Sequence, residues 1–132
     1  MFYLCLIDEI EGYKVYTLIL CNLNTKLRDG RTVGLWIKSF SNRVVDRNKM
    51  GYAGIVKLDK YIEYVLQNED ILMSHINSET HLGKVALYNK TGDETIIHGM
   101  NLLLLRPKRE VIIGKYAYYY LSSISFLKQI PN

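Results

Sequence analysis

The chain reads as a single α+β domain: a mixed, mostly antiparallel β-sheet with a few short helices and a C-terminal amphipathic helix. Three observations lead to this class. Apolar runs of strand length, rich in Val, Ile, Leu and Tyr, recur between turn-forming residues. Only two segments, one near the middle of the chain and one at its C-terminal end, carry helical signals. The 132 residues, 48% hydrophobic and 23% charged, are enough for one core and too few for two, and such a composition excludes a disordered chain.

The elements follow in order. "YKVYTLILCNL" (Tyr13 to Leu23) is β-branched and aromatic after Gly12, so it predicts a buried strand, with a turn at Asp29-Gly30. "TVGLWIKSF" (Thr32 to Phe40) predicts a second strand, "SNRVVDRNKMGY" an exposed polar loop, and "AGIVKL" a short strand. In "DKYIEYVLQNED" the apolar residues are unevenly spaced behind Asp59, a possible cap, which predicts a short helix or helical turn. Asp70 to Ile76 and Lys84 to Tyr88 are expected to be two strands joined by a polar loop, with Gly83 supplying an unusual backbone angle. "NLLLLRP" predicts another buried strand, stopped at Pro107. "GKYAYYYLSSISFLKQI" places Tyr116, Tyr119, Tyr120, Ile124 and Leu127 near helical spacing, hence the C-terminal helix, expected over residues 114–130.

Several function classes lack their residues. The apolar run from Val15 to Cys21 is far shorter than the ~20 residues that a membrane helix needs. Cys5 and Cys21 have no metal-ligand spacing and follow no signal peptide, so they read as buried thiols in a reducing cytosol. His75, His81 and His98 do not recur at ligand offsets on a helix, Ser78 lacks a nucleophile elbow, and Cys5 has no electropositive neighbours. Neither "GYAG" nor "KTGDE" leads into a phosphate-cradling helix. A small hydrolase built on the histidines therefore ranks last.

Binding chemistry is better represented. The net charge is +4, a mild lean toward a polyanion. Between residues 38 and 60, Lys38, Arg43, Arg47, Lys49, Lys57 and Lys60 outnumber Asp46 and Asp59, with Asn42 and Asn48 among them. Such side chains satisfy base edges in the major groove, while Lys, Arg and Ser hold phosphates. The segment from Ser74 to Lys84 adds His75, Asn77, Ser78 and His81. Each has a bland alternative. Asn77 and Ser78 can hold a turn through bonds to the backbone, and a polar loop can be merely solvated. Tyr116, Tyr118, Tyr119 and Tyr120 suit a core or a protein partner better than stacked bases.

Three pieces in order carry a resemblance. "DILMSHINSETHLGKVALYNK" contains Asp70, Ile71, Leu72, Asn77, Ser78, Gly83 and Lys84; "IIHGMNLLLLRP" contains Asn101, Arg106 and Pro107; "GKYAYYYLSSISFLKQI" contains Tyr119, Tyr120 and Leu121. Together they resemble the target recognition domain of type I restriction-modification specificity (S) subunits, over roughly the last 80 residues and faintly before Gly51. The resemblance implies a non-catalytic protein that reads one half of a split double-stranded DNA sequence. It implies methyltransferase (M) and restriction (R) subunits as partners, with S-adenosylmethionine, ATP and magnesium belonging to them, and no cofactor here. It also implies a bacterial or archaeal cytoplasmic location and a subunit of two recognition domains, of which this chain resembles one, the other being a possible partner; no membrane partner is expected. The expected DNA-facing set is Lys38, Asn42, Arg43, Arg47, Asn48, Lys49, His75, Asn77, Ser78, His81 and Lys84. The alternative is a protein-interaction module that docks a methyltransferase subunit through its Tyr-rich helix without binding DNA.

Overall fold

A computed structural model describes residues 9–10, 13–17, 33–35, 45–52, 59–74, 82–98 and 102–129. Eight strands and two α-helices lie among them: β1 (Glu9–Ile10), β2 (Tyr13–Thr17), β3 (Val33–Leu35), β4 (Gly51–Tyr52), β5 (Ile71–Ser74), β6 (Val85–Leu87), β7 (Ile96–His98), β8 (Leu102–Pro107), α1 (Gly114–Leu121) and α2 (Ile124–Leu127). Short 3-10 turns occupy Arg47–Lys49 and Asp59–Tyr64. The α+β class stands, with its strands divided between two sheets. The larger is antiparallel throughout, in the order β1-β2-β8-β5-β6. The smaller, β4-β3-β7, pairs β3 with β4 antiparallel and with β7 parallel.

The four consecutive leucines, Leu102 to Leu105, explain the layering. A strand sends alternate side chains to opposite faces, so an unbroken apolar run is stable only where both faces are covered. Both are covered here. Leu102 and Leu104 join Leu72, Ala86, Tyr88, Ile96, Leu66 and Val45 in one cluster. Leu103 and Leu105 join Ile71, Met73, Val85, Ala117 and Leu121 in the other. β7 thus backs one face of the large sheet and α1 the other. All four leucines are buried, and each such side chain is worth about 1.5–3 kcal/mol relative to exposure.

The 3-10 turn at Asp59–Tyr64 meets the expectation of a helical turn, and β8 ends at Pro107 as expected. Gly83 adopts φ 75°, the left-handed region that favours glycine, and closes the β5–β6 pairing: its N–H donates to Ser74 O and the Ser74 N–H donates to Lys84 O. The expected exposed loop fails in two places: Val45 is buried in the first cluster, and Gly51–Tyr52 form β4 because they pair with β3.

The C-terminal segment departs from a single helix. The helix is interrupted at Ser122 and Ser123, whose hydroxyls donate to Tyr118 O and Tyr120 O, while Ser123 Oγ also accepts from the Phe126 N–H as the cap of α2. Side-chain hydroxyls compete with the helix for its own backbone groups, so two serines in succession favour a break and a restart. The buried stripe of α1 is Gly114, Ala117 and Leu121, not the tyrosines. Gly114 sits there because Glu69, a non-glycine residue at φ 69°, crosses α1 closely: a Cβ on Gly114 would lie 2.8 Å from Glu69 Cβ and 3.0 Å from its carbonyl oxygen.

Outside the described residues lie Cys5, Cys21, residues 18–23 of the first expected strand, the Asp29-Gly30 turn, residues 32 and 36–40 of the second, residues 41–44 of the expected loop, the whole "AGIVKL" run, and residues 75–76 of the strand expected from Asp70. Among the described residues no helix is long and apolar enough to cross a membrane.

Candidate nucleic-acid interface

Strands β5 and β6 form the platform expected for the polar segment between them. Their register, Ile71↔Leu87, Leu72↔Ala86 and Met73↔Val85, brings the strand ends together at Ser74 and Gly83. From the proposed DNA-facing set, His75, Asn77, Ser78 and His81 lie outside the described residues, as do Lys38, Asn42 and Arg43. Lys84 is exposed at the mouth of the hairpin. Arg47 and Asn48 are exposed on the 3-10 turn, which Asp46 caps by accepting the Asn48 N–H at 3.0 Å; Lys49 closes that turn.

The base of the platform is tied by a buried ion pair. Asp70 stands directly before β5 and Arg106 on β8; because Ile71 pairs with Leu105, the two fall opposite each other. Arg106 Nε donates to Asp70 Oδ1 at 2.9 Å and Nη2 to Oδ2 at 2.7 Å, and Nη2 also donates to Val65 O at 2.9 Å. The Gln67 N–H supplies a further donor to Oδ2 at 2.7 Å. Burial pushes the Asp70 carboxyl above its usual range, while Arg106 and the Gln67 amide oppose that shift. Both residues stand in the quoted motifs, one in "DIL" and one in "LLLLRP", so those motifs meet in the scaffold.

A second constellation was not legible in the sequence. Arg47 Nε donates to Glu94 Oε2 at 2.8 Å, and its Nη2 donates to Glu94 Oε1 at 2.5 Å and to the Asn89 carbonyl at 2.7 Å. Glu94 Oε1 accepts in addition from Tyr88 OH and from the Thr91 N–H, both at 2.8 Å. The guanidinium carbon lies 5.8 Å from the centroid of the Tyr88 ring, within cation–π range. These donors, Arg47 first, hold the Glu94 carboxyl down at about 2, and burial with the Glu94 bond raises the Tyr88 phenol. The only sequence trace was the turn "KTGDE", with Gly92 at φ 57°.

The structure separates the Arg47 cluster from the hairpin mouth. Asn89 and Lys84 lie at opposite ends of β6, five residues apart, or roughly 16 Å along an extended chain. His98, the histidine among the described residues, is buried, with Nδ1 3.1 Å from Leu102 O and its ring 5.9 Å from that of Tyr64. No group of three His, Cys, Asp or Glu able to hold a metal occurs among the described residues. Outside the platform, Val111, Ile113, Tyr116, Tyr119, Tyr120 and Ile124 form an exposed apolar and aromatic set around α1 and α2.

No family model matches the chain. Over 85 residues, 64% of its length, it is 46% identical to a protein of Methanocaldococcus jannaschii named "Putative type I restriction enzyme MjaX specificity subunit". The chain spans about a fifth of the length of that relative. The resemblance to specificity subunits, read over roughly the last 80 residues, is therefore matched by direct similarity over a stretch of comparable length.

Proposed function

We propose that this domain recognises a sequence in double-stranded DNA as the specificity component of a type I restriction-modification system. It reads one half-site and positions methyltransferase and restriction subunits without catalysing a reaction itself. The observation that carries this reading is the 46% identity over 85 residues to a specificity subunit. The fold supports it: a sheet covered on both faces and tied by Asp70–Arg106 is a stiff base whose β5 and β6 ends, at Ser74 and Gly83, flank the polar segment.

In this reading Lys84, Asn48 and Lys49 face the duplex together with Lys38, Asn42, Arg43, His75, Asn77, Ser78 and His81. A guanine-reading arginine such as Arg43 is worth ~1–3 kcal/mol at one base pair, whereas a phosphate-bound lysine weakens all sequences alike. The test is selection of a binding sequence from randomised duplex DNA, followed by affinity measurements over a range of salt. A selected consensus and a steep fall of affinity with salt are expected. Equal, salt-insensitive affinity for all duplexes overturns the reading.

One observation favours a second reading. Around α1 and α2, Tyr116 and Tyr119 are 66% and 70% exposed and Ile113 and Ile124 68% and 72%, large apolar side chains left in solvent of the kind that interaction sites use. This surface would dock a methyltransferase subunit. A salt-insensitive protein complex that Tyr119→Ser disrupts, with no DNA affinity in the chain alone, would select it.

A further inference from the structure

Arg47 belongs to the basic segment that the DNA reading places against the duplex, yet its surroundings assign it a different task. A guanidinium recognises a guanine or a phosphate by presenting a two-donor edge in one plane. The Nε/Nη2 edge of Arg47 already lies against both oxygens of Glu94, and Nη2 is shared with the Asn89 carbonyl. Glu94 is itself fixed by Tyr88 OH and the Thr91 N–H, and the buried Tyr88 ring lies beneath the guanidinium. The carboxylate therefore offsets the arginine's charge and takes the edge that would read a base.

The consequence for the chain is mechanical. Arg47 opens the 3-10 turn Arg47–Lys49, whose other fixed point is Val45 in the core two residues earlier. A turn pinned through Val45 on one side and Glu94 on the other has a defined direction where it exposes Asn48 and leads into β4. The anchor itself stands at the end of β6 away from the hairpin mouth.

Resting on the DNA reading above, we propose that Arg47 is a positioning residue: clamped by Glu94, it sets the approach of the basic segment to DNA and touches neither base nor phosphate. Neither removal of Arg47 nor removal of the Glu94 charge then acts through the duplex. Arg47→Ala and Glu94→Gln lower affinity for the selected sequence by a similar factor, of order tenfold. The double variant is no weaker than either single one. The loss on Glu94→Gln carries the argument, because that variant makes the protein one unit more positive and simple electrostatics would tighten binding.

The experiment is a titration of the full chain against its selected duplex and a scrambled one, across salt, with wild type, both single variants, the double variant and the exchange Arg47→Glu with Glu94→Arg. Amide hydrogen exchange at residues 45–50 and 88–94 is followed in the free proteins. Expected are an unchanged salt slope in Arg47→Ala, a reduced ratio of selected to scrambled affinity in both single variants, and faster exchange in both segments. The exchanged pair should recover most of the affinity. Tighter binding by Glu94→Gln, or a salt slope in Arg47→Ala smaller by about 0.9, the value of one phosphate contact, overturns the proposal and makes Arg47 a DNA ligand. Failure of the exchanged pair to bind while its exchange rates return to wild type does the same. If the wild-type chain binds no duplex at any salt, the DNA reading itself fails and the positioning role falls with it.

Discussion

Asp70–Arg106 and Arg47–Glu94 are the same chemical object in two settings. In each, an arginine fork meets a carboxylate through Nε and Nη2, with one backbone carbonyl on Nη2 and one backbone amide on the carboxylate. The first is set between β5 and β8, its arginine and carboxylate side chains 17% and 2% exposed; the second joins two surface loops at 38% and 20%. Their carboxyl groups shift in opposite directions, Asp70 upward by burial and Glu94 downward by its donors. What differs is water. A buried pair must recover the cost of leaving solvent, and its worth lies in fixing which strand residue stands opposite which. An exposed pair is screened and adds little stability, so it is better suited to holding a loop in place.

The sharpest way to break the comparison is to remove one partner from the buried pair. Asp70→Asn leaves the Arg106 charge under the sheet with a neutral neighbour and should cost about 3–5 kcal/mol in urea unfolding. Replacing both partners, Asp70→Leu with Arg106→Met, should recover most of that loss, since matched apolar side chains avoid the desolvation cost. If the double replacement is as unstable as the single one, the pair is a source of stability and not a register device.

A smaller effect is expected where the same region meets α1. Gly114→Ala would place its Cβ 2.8 Å from Glu69 Cβ and 3.0 Å from Glu69 O, neither being the end of a flexible side chain. Overpacking of this kind should cost about 1–3 kcal/mol, read as a lower thermal midpoint with α1 loosened from the turn before β5. A neutral outcome would mean that α1 can slide over Glu69, and with it that the Asp70 end of the platform is less rigid than its ion pair suggests.

The two pairs also mark how far the sequence could be read. Leu102 to Leu105, stopped by Pro107, announced a buried strand, and Gly83 announced the backbone angle it adopts. β7 was missed: three residues, Ile96–His98, are too few to show a period, and their strand character comes from pairing in parallel with β3 some sixty residues earlier. The tyrosines of α1 shared helical spacing with Ile124, yet Gly114, Ala117 and Leu121 form its buried stripe, and the close approach of Glu69 at Gly114 is a tertiary contact that helical spacing does not show. Asp70 and Arg106 were visible as motif residues without their contact. Arg47 and Glu94 are 47 residues apart, and no local rule joins a basic turn to an acidic one across that distance.

The exposed pair should give the smallest stability change, and pH separates it from the buried one. The Glu94 carboxyl is held down at about 2 from its ordinary 4.5, with the Arg47 hydrogen bond the first cause. A carboxyl depressed on folding stabilises the folded state fully above its ordinary value and loses that contribution as pH falls from about 4.5 through about 2. Screening at a surface site limits the effect to about 1 kcal/mol. Glu94→Gln keeps an oxygen for Tyr88 and Thr91 but carries no charge to titrate, so its thermal midpoint near neutral pH should fall slightly while its acid limb flattens. Arg47→Ala should flatten the same limb, since it removes the main cause of the shift. Tyr88 works in the other direction: its raised phenol stabilises the fold fully below its ordinary value of 10.0, and that contribution is lost as pH climbs beyond it. Acid limbs that superimpose in wild type, Glu94→Gln and Arg47→Ala would show that Glu94 is not held by Arg47 in solution, removing the clamp on which the contrast with Asp70–Arg106 depends.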